Sequence, residues 1–341
     1  MIPIFEQGLI MGIMALGVFI SFRILDMADL TVEGSFPLGG AVCITLMVGG
    51  MDTWLSLLIG SLVAGSAGIL TAIIHTKLKV NVLLAGILVM TMIYSVNLRV
   101  MDGPNLPIPR VSNAGTMGTF EEITGSDPLA DLFEDMEIAE THEQKAETKM
   151  VKVSENIFNS DQNGSDLLLI GITALICVAL LGIFLKTDLG TVMRGFGSNK
   201  KGVESFGIPS DLIVVLGLGL ANTLVGFSGG LFCLYGGFAD VSMGQGMIVT
   251  GLAIVMIGEI TFRSFKPVYG LIAPLIGGII YQFILAMVMR YGYTIGFRAS
   301  DMKLLTALFI IGVVGISLIG NKGKKNKISR EVKRIWSNSK A

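Results

Sequence analysis

The fold class this chain predicts is an all-α, polytopic membrane helical bundle, and three observations predict it. Of its 341 residues 52% are apolar and 15% charged, with a mean hydropathy of +0.73. No soluble domain hides that much apolar surface. The apolar residues fall in long uncharged runs of the length a bilayer requires. The charges that remain are segregated: acids concentrate in one middle segment, bases in short loops and the C-terminal tail, so the formal net charge of -1 conceals a strong asymmetry. A nucleic-acid partner has no support in this pattern.

About nine spans are expected: Gln7–Leu25, Gly34–Met51, Trp54–Ile74, Val80–Leu98, Leu167–Leu185, Leu212–Tyr235, Met243–Ile260, Val268–Met289 and Leu304–Gly320. Several are short for crossing about 30 Å of hydrocarbon, which points to broken or re-entrant helices. The chain then divides into residues 1–100 with four spans, an extracytoplasmic acidic segment 101–165, residues 166–320 with five spans, and a basic tail 321–341. The 44 glycines fit helices that approach closely in lipid. Gly60, Ala64 and Gly68 make one small-residue face, and Gly226, Gly229 and Gly230 crowd another. Cys43, Cys177 and Cys233 lie inside apolar runs without paired spacing, so neither a disulfide nor a metal site is expected. No basic region precedes the first apolar stretch, and a cleaved signal peptide is not expected.

Orientation follows from the basic residues. Lys77 and Lys79, the stretch from Lys186 to Lys201, Arg263 with Lys266, and the tail from Lys322 are assigned to the cytoplasm. Arg23 at the inner end of the first span agrees, whereas Arg290, Arg298 and Lys303 then fall outside and count against the assignment. The N-terminus is thereby placed outside, as is the segment Met101–Ser165, which carries 13 acids against 4 bases. That segment opens with a proline-rich extended stretch, Asp102 to Pro109. Further on, Leu129, Leu132, Phe133 and Met136 follow helical spacing, and a solvated insertion competes evenly with a docking surface. The tail places Ile328, Val332, Ile335 and Trp336 on one helical face beside many lysines, a composition suited to resting on anionic membrane lipids.

Two polar stretches stand out. The first, Asp26 to Gly40, holds Asp26, Asp29 and Glu33 only about ten residues wide between apolar runs, followed at once by glycine and proline. It reads equally as a helix broken at membrane depth, where ionisable groups serve function, or as a tight solvated turn with Asp29 capping the next helix. The second stretch, residues 190–208, is basic, punctuated by glycine, and lies between the fifth and sixth spans. Its ordered turn chemistry marks it as a docking element on the cytoplasmic face. Polar groups within apolar runs, Asn81, Asn97, Asn222 and Gln245, are candidates for a solute path together with Asp29, Glu33 and Ser35, although buried amides serve as often to bind helices together. Glu259 reads as an inner-surface charge near Arg263.

The chain has two histidines. It lacks the motifs HExxH, GxxxxGK[ST] and GxSxG, so it is not read as an enzyme and no cofactor is expected. If ATP drives it, another subunit binds the nucleotide.

Here a resemblance becomes specific. Asp29-Leu30-Thr31-Val32-Glu33-Gly34-Ser35 with Gly39-Gly40-Ala41 resembles the D-L-S-V-G-S…G-A pattern in the second helix of ribose-type and branched-chain amino acid ABC importer permeases. Arg194-x-x-Gly197-x-Asn199…Gly207-Ile208 is similar to that family's R-A-x-G-x-N-x-x-A-A-x-x-x-G-I, and Ala221 to Leu231 is similar to its A-x-x-x-A-G-x-A-G-x-L. The agreement runs in order through most of the chain. Glu33 is an extra residue in the first motif, Lys201 and Gly202 replace paired alanines in the second, and the acidic segment is longer than the family's. The resemblance implies a transmembrane permease subunit of an ATP-binding cassette importer, located in the cytoplasmic membrane. It implies a pore for an amino acid or sugar, closest to a small-solute branch that accompanies binding proteins for aromatic amino acids or similar solutes. Its partners would be an ABC ATPase, an extracytoplasmic solute-binding protein and a second permease copy as a homodimer. The resemblance also implies that Arg194, Gly197, Asn199, Lys200, Gly207 and Ile208 form the coupling surface. There Arg194 would pair with the ATPase, Gly197 and Gly207 would permit tight turns, and Asn199 would cap a short helix. The alternative class is an ion-coupled secondary transporter or channel using Asp26, Asp29 or Glu33 without an ATPase.

Overall fold

A computed structural model describes residues 2–108, 165–261, 269–295 and position 312. The expected ninth span, the basic tail and nearly all of the acidic segment lie outside the described residues. The described elements are helical apart from one small strand pair. Among the described residues five helices are long and apolar enough to cross a bilayer: Ile2–Ile24, Thr53–Lys77, Val82–Val100, Asp166–Lys186 and Ser210–Gly236. Three shorter apolar helices accompany them, Val32–Val48, Met247–Thr261 and Ile272–Val288. The chain divides into two compact units, one of Met1–Met27, Ile170–Ile213 and Gly246–Ala341, the other of Ala28–Leu169 and Val214–Gln245.

The first unit is built on α1 (Ile2–Val18), α9 (Met247–Thr261) and α10 (Ile272–Ile295). Helix α1 is apolar on every side and almost wholly buried beyond its first turn, as a central helix should be. The three helices meet backbone to backbone. A β-carbon on Gly8 would lie 2.8 Å from the Ile279 Cα, and one on Gly12 would lie 2.9 Å from the Leu275 Cα. Gly258 and Gly277 likewise sit where a side chain would overlap the carbonyls of Ala273 and Ile254. The side-chain amides of Gln7 and Gln282 bond across the α1–α10 seam. Past Val18 the helix widens into a π-turn, Phe19–Ile24, whose Leu25 and Met27 N–H groups donate to Ile20 and Ser21 at 3.0 and 2.9 Å. Arg23 on this turn pairs with Glu259 of α9 at 2.8 Å. The sequence placed Glu259 near Arg263, which lies outside the described residues. The unit also holds most of α5 (Ser165–Lys186), whose Leu168, Ile172, Leu175, Leu180 and Ile183 are exposed as a lipid-facing helix requires.

The second unit packs α2 (Val32–Val48) against α3 (Thr53–Lys77) and α4 (Val82–Val100), with most of α8 (Ser210–Gly236). The break expected in the second helix falls ahead of it. Asp26 takes φ 56 and the chain stays irregular until Thr31, after which α2 runs unbroken through Pro37. Pro37 has no N–H for the Glu33 carbonyl four residues earlier. Gly244, on the 3₁₀ turn Val241–Gly244, packs directly on that carbonyl and leaves no room for a β-carbon. Small residues again set the spacing. Gly39 meets the Gly226 carbonyl, Gly229 meets the Phe36 carbonyl, and the Phe36 and Phe232 rings lie 5.7 Å apart beside them. The face of Gly60, Ala64 and Gly68 is used here against Gly39, Gly226 and Leu218. Strand β1 (Asn105–Pro107) pairs antiparallel with β2 (Phe238–Asp240), Leu106 opposite Ala239, and ties the ends of α4 and α8 together. The three cysteines are free.

Because the Gly39 contact is backbone against backbone, no rotamer change can relieve an added methyl group. Gly39→Ala should destabilise the detergent-solubilised protein by about 3 kcal/mol, the upper end for overpacking. Gly103→Ala, which meets open space, should leave thermal unfolding unchanged.

Candidate functional site

Two groups of side chains carry chemistry that the packing alone does not require. The first is an elbow between α5 and α8. Thr187 ends α5, and its hydroxyl accepts the Gly190 N–H at 3.3 Å, starting α6 (Asp188–Ser198). Met193 and Phe196, three apart on the buried side of α6, are 2% and 3% exposed. Asn199 closes α6 and opens α7 (Lys200–Ser205), its Oδ1 accepting the Gly202 N–H at 3.0 Å. The cap expected of Asn199 is therefore present. Val203 folds α7 back towards Gly195, and the Lys200 Nζ sits 5.6 Å over the Phe196 ring. Gly207 leaves α7 at φ 76, a left-handed conformation that suits glycine, its N–H donating to Glu204 at 3.0 Å. Half-buried Ile208 and then Pro209 lead into α8.

All six residues proposed for coupling thus share one elbow, but two behave differently from expectation. Gly197 makes no turn. It lies inside α6, pressed on the Ile24 carbonyl at the end of the π-turn, where a β-carbon would overlap the oxygen. Arg194 is half-buried and turned along its own helix, with Nε donating to the Gly190 carbonyl at 3.4 Å and Nη2 to the Thr191 hydroxyl at 3.1 Å. What projects from the elbow is Lys200, Lys201, Glu204 and, at 84% exposure, Phe206. Sequence reasoning passed over Phe206. Its signal was an aromatic residue standing directly before Gly207, beside the polar pair Glu204 and Ser205.

The second group lies inside the second unit. Asp29, Thr31, Ser35, Thr71 and Asn222 are each at most 1% exposed. Asn222, midway along α8, donates from Nδ2 to Asp29 Oδ2 at 2.7 Å and to the Leu218 carbonyl at 2.9 Å, while its Oδ1 accepts the Ser35 hydroxyl at 2.6 Å. The other oxygen of Asp29 accepts the Thr31 N–H at 2.9 Å, and the Thr31 and Thr71 hydroxyls bond each other at 2.6 Å. A carboxylate this deep costs several kcal/mol unless donors replace its water, and here Asn222 of α8 and Thr31 at the start of α2 supply the replacement. Asp29 is therefore no solvated turn residue, although its bond to Thr31 keeps the local form of one. Ser35 and Asn222, also proposed from sequence, join it. Thr31 and Thr71 were missed.

The remaining candidates are placed elsewhere. Glu33 is half-buried in the first turn of α2. Asn81 is an exposed cap of α4, accepting the Leu83 N–H at 3.1 Å. Gln245 is exposed just after the 3₁₀ turn. Asn97 is 1% exposed, and its side-chain amide finds no partner among the described residues. Among those residues no three His, Cys, Asp or Glu side chains are grouped to hold a metal.

Residues 1–314 match the family described as branched-chain amino acid transport system / permease component. The chain belongs to this family of ABC importer permeases. It is similar to a tyrosine transport system permease protein of Clostridioides difficile (strain R20291), 33% identical over 95% of this chain and 93% of the relative. An uncharacterized protein of Rickettsia prowazekii (strain Madrid E) is 29% identical over 91% of this chain and 95% of its own. No solved structure matches. The permease is accordingly a multi-pass inner-membrane transport subunit and not an enzyme. Its family works in general with a separate ATPase and a solute-binding protein.

For this permease the Asp29 cluster makes a sharp stability prediction. Asn222→Leu removes the charge-facing donor from a buried carboxylate and should cost about 3 kcal/mol, read as a lowered unfolding temperature in detergent. Asp29→Asn keeps a group able to bond Asn222 without the charge, and should lose less than half as much.

Proposed function

We propose that this permease forms the translocation path of an importer for an amino acid of the tyrosine class, with the α6–α7 elbow as the seat of the ATPase. The substrate class rests on the relative of 33% identity whose name specifies tyrosine transport. The observation that carries the coupling reading is the elbow itself. It is a capped helix pair whose inner side is buried and whose outer side presents Lys200, Lys201 and Phe206. An exposed aromatic residue on the same short elbow as two exposed lysines is a natural anchor for a partner pocket with acidic groups. Positively charged loops lie on the cytoplasmic side, where the ATPase resides. Arg194, already bonded within α6, serves there chiefly by holding the elbow in shape. Two copies of the permease around one pore, with a binding protein delivering solute from outside, complete the assembly that the family implies.

An ion-coupled carrier using Asp29 is disfavoured because both oxygens of that carboxylate are already engaged by protein donors. Asp29, Ser35 and Asn222 are read as the brace that holds the start of α2. Glu33 and the unpaired Asn97 stay as candidates for the solute path.

The test is co-expression with an ATPase that carries a phosphate-binding loop and with the cognate binding protein. Labelled tyrosine uptake into proteoliposomes should require ATP and survive collapse of the ion gradients. Phe206→Asp, and separately Lys200→Glu with Lys201→Glu, should each weaken ATPase co-purification at least ~30-fold, the scale of one interface hot spot of about 2 kcal/mol. Undiminished co-purification and uptake in both variants would remove the elbow from its assigned role.

A further inference from the structure

The first unit ties the elbow to α1 in a way that neither the family nor the sequence motifs specify. Gly197 lies against the carbonyl that ends the π-turn of α1, and the three atoms nearest to a β-carbon placed there are all backbone, from Ile24 and Leu25. On its other side the same turn is held to α9 by the ion pair of Arg23 and Glu259. Helix α1 is in turn locked to α9 and α10 by glycine contacts, Gly251 against Val18 and Met14, Gly8 and Gly12 against α10. A π-turn is a single widened turn inside an α-helix, and such turns recur at functional positions. Here the turn ends in the Ile24 carbonyl on which Gly197 of α6 rests.

Resting on the coupling reading, we propose that the Gly197–Ile24 contact is the point where the ATPase stroke enters the membrane helices. In this arrangement the elbow and the α1–α9–α10 packet move as one body. Gly197 is then a positioning residue for transport. The stroke passes sideways into the first span, as well as along the chain into α5 and α8. Two hard backbone surfaces in contact displace each other without a side chain to change rotamer between them.

Gly197→Ala tests this in the whole assembly, with Gly195→Ala as control. The Gly195 methyl would meet only the Val203 Cγ2, at an ordinary 3.5 Å. The expected result is that Gly197→Ala keeps ATPase co-purification and ATP hydrolysis but loses uptake at least tenfold, while Gly195→Ala changes none of the three. A purely structural role would lower all three together, through lost folding. Normal uptake in Gly197→Ala overturns the proposal. So does equal loss of ATPase binding and uptake, which would make Gly197 part of the docking face.

Should the variant fail to fold, spin labels decide. Phe22→Cys and Ser198→Cys, both at exposed positions, are labelled in a chain whose three native cysteines are replaced. Their separation should stay within about 2 Å between nucleotide-free and ATP-trapped assemblies, no more than a small helix adjustment. A larger change means the two elements move apart, and the proposal fails. Failure of the coupling reading itself shows separately, as unchanged ATPase binding in Phe206→Asp.

Discussion

Helices in lipid gain little by burying apolar side chains against each other, because the lipid tails are equally apolar. What holds them is close contact and satisfied polar groups. In this permease the close contact is made by backbone. Gly39 on Gly226 and Gly229 on Phe36 in the second unit, and Gly8, Gly12, Gly258 and Gly277 in the first, bring chains together at distances no side chain would allow. This explains why so apolar a protein is also so rich in glycine. It also explains how apolar faces with no charge pattern find a unique register, since each glycine admits a neighbour at one level only.

Such packing leaves little room for irregular backbone, which must then be paired internally. The segment ahead of α2 shows how this is done. It leaves helical geometry for only a few residues, and Asp29 is met there by donors from α8 and from Thr31. Ser35, one turn into α2, donates to the side-chain oxygen of Asn222. With its two donors used on Asp29 and Leu218, that amide has no donor left to offer a passing solute. A cluster so closed sets the position of a helix start. Asn97 is the contrasting case: equally buried, it has its amide unmatched.

How much of this could be read in the sequence depended on whether the signal was local. The span pattern was legible because a bilayer imposes length and hydrophobicity on contiguous residues. The elbow was legible because caps, basic residues and a terminal glycine act within a few positions, as Asn199 on Gly202 and Gly207 on Glu204 demonstrate. Asp29 and Asn222 were both singled out, yet nothing in one sequence connects residues 193 positions apart. Thr31 and Thr71 escaped notice because a threonine in an apolar run ordinarily bonds back to its own helix. Thr71 does so as well, to Ala67 at 3.2 Å. Asn81 was grouped with the solute path although an asparagine just before an apolar run fits a helix cap equally well. Gly197 was read as a turn because sequence cannot tell a glycine needed for positive φ from one needed for proximity. Only the Ile24 carbonyl, far away in the chain, distinguishes them.

That distinction bears on how force crosses a membrane subunit. An elbow that merely docks a partner can be soft, since binding tolerates side chains that readjust. An elbow that transmits motion must be stiff on the side away from its partner, or the stroke is spent on rotamers. The two faces here divide along that line. Phe206, Lys200 and Lys201 project freely. Met193 and Phe196 are buried, Arg194 is clamped along α6, and Gly197 bears on the Ile24 backbone. Packed interiors resist compression and shift between discrete arrangements instead of deforming smoothly. Under the proposed coupling, a compliant outer face on an incompressible inner one would let a partner be recognised by side chains and obeyed through backbone.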